Sequence, residues 1–307
     1  MNPIFIERVG YGTQFNQLSM IGKDTIKKES KNEYGHCKIK KEIQFLQYIQ
    51  NHSIPFSIPT VLEIGETYYI MKYLSGYMPL YQYFPSASVD RKRKICNRIY
   101  EELHRLHTCT KQDVSKNQFL QILHIETKDK IYQRYNEIVP LLDRYSFLKK
   151  VNHVVLQSFE ESMAIIEKRV HEYVNSLEEY QLCVIHGDCQ FNNILYNPST
   201  DDMVFIDPRG YFGDKDLYGI SEYDDAKVRF ALTGYDAFDN MDIQELDIED
   251  DNLTLPDMFL MKDVCLSDFI GLLTITIWLA NAHCFKNNIH KTIYSFYYAR
   301  YIATMYL

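Results

Sequence analysis

The chain has 307 residues, with 33 Lys and Arg against 41 Asp and Glu, which gives a formal net charge of −8. This length allows one large domain or two modest ones, and a hydrophobic content of 46% excludes a disordered or fibrous chain. The acidic balance argues against nucleic acid as the main partner, because binding a phosphate backbone needs a clustered face of Lys and Arg.

The cysteines and the apolar stretches indicate the kind of compartment. The seven cysteines are odd in number, widely spaced and without a CxxC pair, a pattern that favours neither a disulfide framework nor a zinc site. The N-terminus has no apolar core of a signal peptide. The most apolar stretch, residues 269–280, is too short to span a membrane, so we expect a buried helix there. These features predict a soluble, cytoplasmic protein without membrane insertion.

The first 75 residues predict a small lobe of strands around one helix. Turn signals rich in glycine separate short apolar segments, and one stretch has apolar residues at helical spacing. The predicted strands cover residues 4–9, 17–21, 25–29, 60–64 and 68–73, and the predicted helix covers residues 38–49.

From Gly76 onward the pattern becomes mainly helical. The predicted helices cover residues 91–107, 119–135, 154–177, 217–232 and 258 to the C-terminus. Short strands are predicted at residues 182–185, 194–196 and 203–206, and the acidic residues 242–255 are predicted to form a surface hairpin or loop. The organisation is therefore α+β, with a β-rich N-lobe over residues 1–75 and a larger, helical C-lobe over residues 76–307.

The residues that indicate chemistry begin with His186-Gly187-Asp188, followed five positions later by Asn193. Two short strands flank this segment, which puts a carboxylate and an amide on one tight loop. Phosphoryl transfer uses such a pair, the Asp to orient or deprotonate the attacking hydroxyl and the Asn to ligate magnesium. Asp207 ends the next apolar strand and can be a second magnesium ligand. The alternative is an ordinary turn and a helix cap, but the combined spacing favours the chemical interpretation.

These residues resemble a known superfamily. The segment from His186 to Leu195 has the pattern HGDxxxxNIL, and residues 206–210 read IDPRG. Together with residues 213–214 and 223–227, they are similar to the aminoglycoside phosphotransferase and choline kinase superfamily of small-molecule kinases. The order of elements agrees over nearly the whole chain, although the specific residues lie between Val184 and Val228. The resemblance implies a two-lobed, protein-kinase-like fold, with ATP and Mg²⁺ as cofactors.

One departure from the family pattern bears on the substrate. Many antibiotic kinases have an acidic IDWE-type sequence where this chain has Asp207-Pro208-Arg209-Gly210. The sequence here is more similar to bacterial members associated with surface polysaccharides. The departure argues against an antibiotic as the acceptor.

The resemblance also implies a lysine on the third strand and a glutamate on the helix that follows. Lys27 and Lys28 point to opposite faces of a strand, so only one can reach the phosphates, and Lys27, next to the apolar Ile26, is favoured. Glu42 is the corresponding carboxylate, with a solvated charge on a basic helix as the alternative. The turn at residues 10–13 covers the phosphates or is a plain hairpin.

Other residues are candidates for binding the nucleotide base. Met71, Tyr73 and Leu74 end the last strand of the N-lobe, where the family hydrogen-bonds the adenine edge through the backbone. A buried strand without a ligand is the alternative.

Further candidates concern the acceptor. Arg209 clamps a phosphate or carboxylate of the substrate, or pairs with Asp214 or Asp216. These two aspartates line the acceptor side or cap the next helix. The acidic residues 236–257 suit a cationic acceptor, or form a solvated loop.

The sequence therefore predicts an ATP-dependent phosphotransferase that acts on a hydroxyl of a small metabolite, a sugar or an amino alcohol. The alternatives are an aminoglycoside antibiotic kinase and a non-catalytic scaffold that binds nucleotide. A scaffold has no need of Asp188, Asn193 and Asp207 together, which argues against that alternative. A protein kinase is not expected, since HGD replaces HRD and no DFG or APE segment follows.

Overall fold

A computed structural model describes residues 4–5, 14–259 and 264–307. The predicted turn at residues 10–13 lies outside the described residues. The strands in chain order are β1 (Ile4–Phe5), β2 (Asn16–Met20), β3 (Thr25–Ser30), β4 (Val61–Ile64), β5 (Tyr68–Lys72), β6 (Met78–Pro79), β7 (Gln112–Asp113), β8 (Lys150–Val151), β9 (Val154–Val155), β10 (Gln181–Val184), β11 (Ile194–Asn197), β12 (Asp202–Phe205), β13 (Tyr211–Phe212), β14 (Lys215–Asp216), β15 (Tyr218–Gly219), β16 (Ile248–Glu249) and β17 (Asn252–Leu253).

Most of the α-helices follow residue 80. In chain order they are α1 (Glu33–Asn51), α2 (Leu80–Tyr83), α3 (Val89–Thr108), α4 (Lys116–His124), α5 (Lys130–Leu142), α6 (Phe159–Ser176), α7 (Ser221–Leu232), α8 (Tyr235–Asn240), α9 (Phe269–Asn281) and α10 (Ile289–Tyr306). In the part of the chain that the structure describes, no helix is both long and apolar enough to cross a membrane.

The chain divides into two compact units, each made of two segments. The first contains residues 1–112 and 183–224, and the second contains residues 113–182 and 225–307. The predicted lobe boundary at residue 75 falls within the first unit. The division into lobes at that point stays a prediction.

A five-stranded sheet in the order β1-β2-β3-β5-β4 forms the first part of the first unit. On β3, Ile26 lies opposite Met71 and Lys28 lies opposite Tyr69. Because side chains alternate along a strand, Ile26 and Lys28 face the same side of this sheet. Helix α1 follows β3 and begins at the cap Asn32, whose side chain accepts a hydrogen bond from the Gly35 N–H at 2.8 Å.

The second part of the first unit is the antiparallel pair β11–β12. Ile194 lies opposite Phe205, and the Ile206 N–H donates to the Asn193 carbonyl at 2.9 Å. The residue before β11 and the residues after β12 therefore lie at the same end of this hairpin. That end carries Asn193 and Asp207.

The second unit is mainly helical. A π-helical turn over Ile125–Asp129 joins α4 to α5, so the predicted helix at residues 119–135 is confirmed within a longer helical stretch. The predicted buried helix at residues 269–280 is α9, in which Trp278 is fully buried and donates to Thr233 at 2.9 Å. The acidic residues 242–255 form the predicted hairpin, β16–β17, which adds to β8 in parallel.

Two predicted helices begin later than expected, for backbone reasons. Residues 154–155 form β9, because Asn152 and His153 adopt positive φ angles of 48° and 65° and turn the chain back on β8. Likewise, Leu217 has a φ of 65° and Tyr218 pairs with Val184, so α7 begins only at Ser221. A local hairpin replaced helix at the first place, and a pairing between the sequence-distant strands β10 and β15 replaced it at the second.

Candidate active site

The loop between β10 and β11 brings Asp188 and Asn193 together, as their spacing suggests. The Asn193 side-chain N–H₂ donates to an Asp188 carboxylate oxygen and to the Asp188 main-chain oxygen, both at 2.9 Å. The side-chain amide nitrogen of Asn193 therefore faces Asp188, and its side-chain oxygen is not the atom that contacts Asp188. Asn193 is buried, which fixes the position of the aspartate it holds.

The buried His186 fixes the start of this loop. Burial lowers the pKa of His186, so the ring is neutral near pH 7. Its Nε2–H donates to the Ile206 carbonyl at 3.0 Å, and its Nδ1 accepts the Asp188 N–H at 3.3 Å. One neutral ring thus links Asp188 to the residue that precedes Asp207.

Asp224 holds the start of the same loop through hydrogen bonds, a role that the sequence did not indicate. Its carboxylate is fully buried and accepts hydrogen bonds from the His186 N–H at 3.0 Å and the Gly187 N–H at 2.7 Å. His107 Nε2 donates to it at 2.9 Å. Burial alone would raise the pKa of Asp224, but these donors outweigh it and lower the pKa, so the group is a carboxylate. In the sequence, Asp224 lies in the YDDAK segment of residues 223–227. That segment does not indicate which groups the Asp224 carboxylate contacts.

A buried lysine joins the sheet to the end of β12, and it is Lys28. Its ammonium group donates to Glu42 and to Asp207, at 2.7 Å each. The prediction that the Lys27 side chain faces this site is wrong. Lys27 lies on the opposite face of β3, where it pairs with Glu29 at 2.7 Å and lies over the Tyr68 ring.

The charges of this cluster depend on one another. Burial by itself lowers the pKa of Lys28, but the carboxylates of Asp207 and Glu42 outweigh that effect and raise it, so Lys28 is an ammonium ion. Burial raises the pKa of Glu42, and the negative charge of Asp207 adds to this. One cation is thus shared by two acidic groups.

Tyr69 completes the cluster and was also missed. It lies opposite Lys28 on β5, and its buried hydroxyl donates to a Glu42 carboxylate oxygen at 3.1 Å. Glu42 thus accepts one charged and one neutral hydrogen bond. The rule of alternation along β5 could have indicated Tyr69, once the face of Lys28 was known.

Asp207 occupies a backbone conformation that is uncommon for its residue type. Its φ is +56°, in the left-handed region, and its side chain is 23% exposed. Such a conformation persists only where the surroundings hold it, and it is frequent at functional sites. Asp207 is therefore within reach of a ligand from solvent while Lys28 contacts it from the protein side.

Arg209 lies directly against the loop that carries Asp188. Its N–H donates to the His186 carbonyl at 2.8 Å, and its guanidinium donates to the Tyr223 hydroxyl at 2.8 Å. The guanidinium carbon is 4.0 Å from the centre of the Tyr211 ring. Gly187 has a φ of +75°, and a Cβ there would meet Arg209 Cβ at 3.0 Å. Only glycine lets the arginine stem pack this closely.

The candidates Asp214 and Asp216 are both exposed and lie at the β13–β14 hairpin. Asp214 is 3.9 Å from Lys215 Nζ, and Asp216 forms a salt bridge with Lys41 of helix α1. Neither pairs with Arg209 in a contact that we observe. Each is next to a lysine, which reduces the local negative charge.

Helix α1 contacts the segment after Asp207 at further points. Gly210 has a φ of +69°, and a Cβ there would lie 2.7 Å from the Lys41 carbonyl oxygen. The hydroxyl groups of Tyr48 and Tyr218 are 3.1 Å apart. The helix that carries Glu42 therefore contacts residues 210–218 at Lys41 and Tyr48.

The residues proposed for the adenine edge differ in their surroundings. Met71 is buried opposite Ile26, whereas Tyr73 is 39% exposed and Leu74 is half-buried. The Tyr73 N–H donates to the Asp24 carbonyl at 2.8 Å. A base that used this donor would have to replace that bond. Recognition of adenine by these residues stays a prediction.

The donor set fits magnesium that arrives with phosphate groups. Asp207 and Asn193 offer hard oxygen ligands at one end of the β11–β12 hairpin. Within residues 14–259 and 264–307, no group of three or more His, Cys, Asp or Glu could hold a metal ion alone. Mg²⁺ commonly binds through one or two carboxylates plus substrate phosphates, and this set matches that mode.

Comparison with known families shows to which family this chain belongs. Residues 31–210 match the family model described as the phosphotransferase enzyme family, APH. The match includes Lys28's partner Glu42, the loop from His186 to Asn193 and Asp207. The chain belongs to this phosphotransferase family. No curated protein matches it by sequence.

Solved structures support the fold. The GDP complex of wild-type aminoglycoside 2'-phosphotransferase-IIIa has 13% identity and a TM-score of 0.56, over 99% of this chain and 92% of that one. The gentamicin complex of APH(2″)-IIa has 15% identity and a TM-score of 0.53, over 97% and 90%. A choline/ethanolamine kinase family protein from Mesorhizobium loti has 9% identity and a TM-score of 0.46, over 99% and 93%. The first two of these structures, with TM-scores above 0.5, show that the α+β fold is protein-kinase-like, as predicted.

Proposed function

We propose that this protein is an ATP-dependent kinase that transfers the γ-phosphate to a hydroxyl of a small metabolite, a sugar or an amino alcohol. The observation that carries the proposal is the arrangement of two sets of residues. The Asp188–Asn193 pair lies on the loop between β10 and β11. The Lys28–Glu42–Asp207 cluster joins β3 and α1 to the end of β12. Membership of the phosphotransferase family and the fit of ATP and Mg²⁺ to that family support it.

In the proposed mechanism, Asp188 orients the acceptor hydroxyl and takes its proton. Phosphoryl transfer has a loose transition state, so positioning matters more than strong basicity. Asn193 holds the Asp188 carboxylate in place, and the neutral His186 and the buried Asp224 hold the loop backbone. Magnesium, when bound by Asn193 and Asp207, neutralises charge on the phosphates.

Lys28 takes the role that the sequence analysis gave to Lys27. It is buried, protonated and aligned by Glu42, so it is a fixed positive charge for the α- and β-phosphates. Lys27 cannot serve from the opposite face of β3 without reversing the strand. Met71, Tyr73 and Leu74 remain the proposed contacts of the base.

The test is a release assay with a panel of acceptors. The protein with ATP or GTP and Mg²⁺ is offered sugars, amino alcohols and aminoglycosides, and nucleoside diphosphate release is measured. We expect nucleoside diphosphate release only when one acceptor of the panel is present, and we expect the Asp188→Asn variant to lose this release. Tight binding of Mg·ATP without turnover of any acceptor would instead support a scaffold. Absence of nucleotide binding would contradict the proposal altogether.

A further inference from the structure

Asp224 accepts hydrogen bonds from two parts of the chain, the loop that carries Asp188 and helix α3. The His186 N–H and the Gly187 N–H donate to its two carboxylate oxygens at 3.0 Å and 2.7 Å. From the last turn of α3, His107 Nε2 donates at 2.9 Å to the oxygen that also accepts the His186 N–H. One carboxylate thus connects a helix to the two residues that immediately precede Asp188.

These two backbone donors determine how the loop enters Asp188. Gly187 has a φ of +75°, and its N–H and that of His186 are consecutive along the chain. Because each N–H bonds to a different oxygen, a rotation of the Asp224 carboxylate would lengthen at least one of the two bonds. A catalytic group has to be held within about 0.5 Å of its productive position. The orientation of the Asp224 carboxylate therefore sets the position of Asp188.

His107 is the side chain of α3 that fixes this orientation. An ionised carboxylate can only accept, so Nε2 of His107 carries the hydrogen of their bond. The His107 side chain is 9% exposed and that of Asp224 is fully buried, so water has little access to the bond. Burial raises the pKa of Asp224, and the hydrogen bond from His107 is the largest of the effects that together lower it. Asp224 therefore depends on His107 for its charge as well as for its orientation.

The end of α3 is itself attached to the strand that leads into the loop. His107 follows Leu106, which is fully buried. The Thr110 hydroxyl donates to the Leu106 carbonyl at 2.8 Å and accepts the Val184 N–H at 2.9 Å. Val184 is the last residue of β10. The His107 ring therefore has a defined place relative to the start of the loop that carries Asp188, and a group on a helix is held more precisely than one on a loop.

We propose that His107 is a positioning residue of the kinase, which orients the Asp224 carboxylate and thereby holds Asp188 in place for the acceptor hydroxyl. The proposal rests on the proposed function and goes beyond it, because it makes turnover depend on a side chain outside the loop and outside the Lys28 cluster. His107 acts through Asp224 and not by contact with the reacting atoms. Without its N–H the loop can shift, and a displacement of about 1 Å can lower turnover about 10²-fold.

The test compares His107→Leu, which removes the donor, with His107→Gln, which keeps an N–H donor. His104→Leu is the matched control, because His104 lies three positions earlier on α3, is exposed and lies 3.4 Å from the Thr108 hydroxyl. With the acceptor found in the panel, His107→Leu should lower kcat about 10- to 100-fold and leave the Kd for Mg·ATP within about threefold. His107→Gln should recover part of this loss, and His104→Leu should behave as the wild type.

Two further measurements connect the effect to Asp224. Hydrogen exchange of a peptide covering residues 185–190 should be faster in His107→Leu than in the wild type and unchanged in His104→Leu. In a double-mutant cycle, adding His107→Leu to Asp224→Asn should lower kcat less than about twofold further, since the charge through which His107 acts is already lost. Thermal unfolding of each variant identifies a folding defect, and the comparison of His107→Gln with the wild type then replaces the defective variant.

Four results would overturn the proposal. The first two are a kcat of His107→Leu within about twofold of the wild-type value, and a loss of Mg·ATP affinity as large as the loss of kcat. The others are a His107→Gln variant no more active than His107→Leu, and losses that simply add in the double-mutant cycle. A wild type that uses no acceptor of the panel contradicts the proposed function, and this proposal fails with it. An active wild type with an equally active His107→Leu contradicts this proposal alone.

Discussion

Lys28 and Asp207 are separated by 179 positions in the chain, and their side chains meet at 2.7 Å. The contact joins the third strand of the N-terminal sheet to the end of β12. Because Lys28 also contacts Glu42, the residues proposed to hold the phosphates and the metal form one continuous cluster. Any change in one of them alters the electrostatic environment of the others.

Replacing Lys28 should weaken nucleotide binding much more than replacing Lys27. Lys28→Met removes the buried cation and leaves Glu42 and Asp207 without it, so the Kd for Mg·ATP should rise about tenfold or more. Lys27→Met removes only a partly exposed pair with Glu29 and should change this Kd less than about twofold. Calorimetry on the two variants measures this directly. A larger effect of Lys27→Met would show that the face of β3 is reversed.

Removing the Asp207 carboxylate should weaken Mg·ATP specifically. Asp207→Asn keeps the size of the side chain but loses a charged oxygen ligand for a dication. Binding of Mg·ATP should weaken about tenfold or more, and the dependence on magnesium concentration should shift upward. Titration of nucleotide with and without Mg²⁺ separates the two effects. An unchanged magnesium dependence would place the metal elsewhere.

Asp188→Asn should affect turnover and spare nucleotide binding. The variant keeps the shape of the side chain and loses the proton acceptor, so kcat should fall by about 10² to 10⁴. The Kd for Mg·ATP should remain within a few-fold of the wild-type value, because Asn193 and Asp207 are intact. Steady-state kinetics with the accepted substrate measures kcat, and calorimetry measures the Kd for Mg·ATP. Near-normal turnover would remove Asp188 from its proposed role.

Asp224 should make the protein sensitive to acid. Its pKa is lowered in the folded state, so its contribution to stability is fully present above the ordinary value of 3.8. That contribution is lost as pH falls through the lower, folded-state pKa, because the unfolded chain then binds the proton first. Asp224→Asn should cost about 3 kcal/mol near pH 7 and should flatten the acid limb of the stability curve. Urea unfolding at several pH values tests both statements.

The hydroxyl of Tyr69 should contribute modestly to nucleotide binding through Glu42. Tyr69→Phe removes one neutral hydrogen bond from a buried carboxyl group, at a cost of about 1 kcal/mol in unfolding free energy. The KM for ATP should rise a few-fold, while kcat for the acceptor should change little. Phe45, buried on α1 without a hydroxyl, offers a packing control in Phe45→Leu. A change confined to kcat would contradict a role through Glu42.

The parts of the fold and site that depend on nearby residues were predictable from sequence. The helix at residues 38–49 was found because its apolar spacing repeats, and the structure extends it to Glu33–Asn51. Asp188 and Asn193 meet because one short loop carries both. In each case the interaction lies within a few residues, so spacing alone determines it.

The side-chain direction predicted for Lys27 is wrong for an identifiable reason. The prediction depends on adjacency to Ile26, although alternation places Ile26 and Lys28 on one face. Asp224 could not be assigned at all, because its role depends on backbone donors 37 and 38 positions earlier in the chain. A buried carboxylate that holds a distant loop has no local pattern in the sequence.

The attachment of helix α1 to residues 210–218 has a consequence for changing the substrate range of this protein. Lys41 touches Gly210 and pairs with Asp216, and the next residue along the helix is Glu42. Under the proposed function, a substitution in the β13–β14 hairpin that was chosen to admit a new acceptor is expected to disturb the helix that carries Glu42, the partner of Lys28. We therefore expect acceptor range and nucleotide affinity to change together, and a selection for the first should monitor the second.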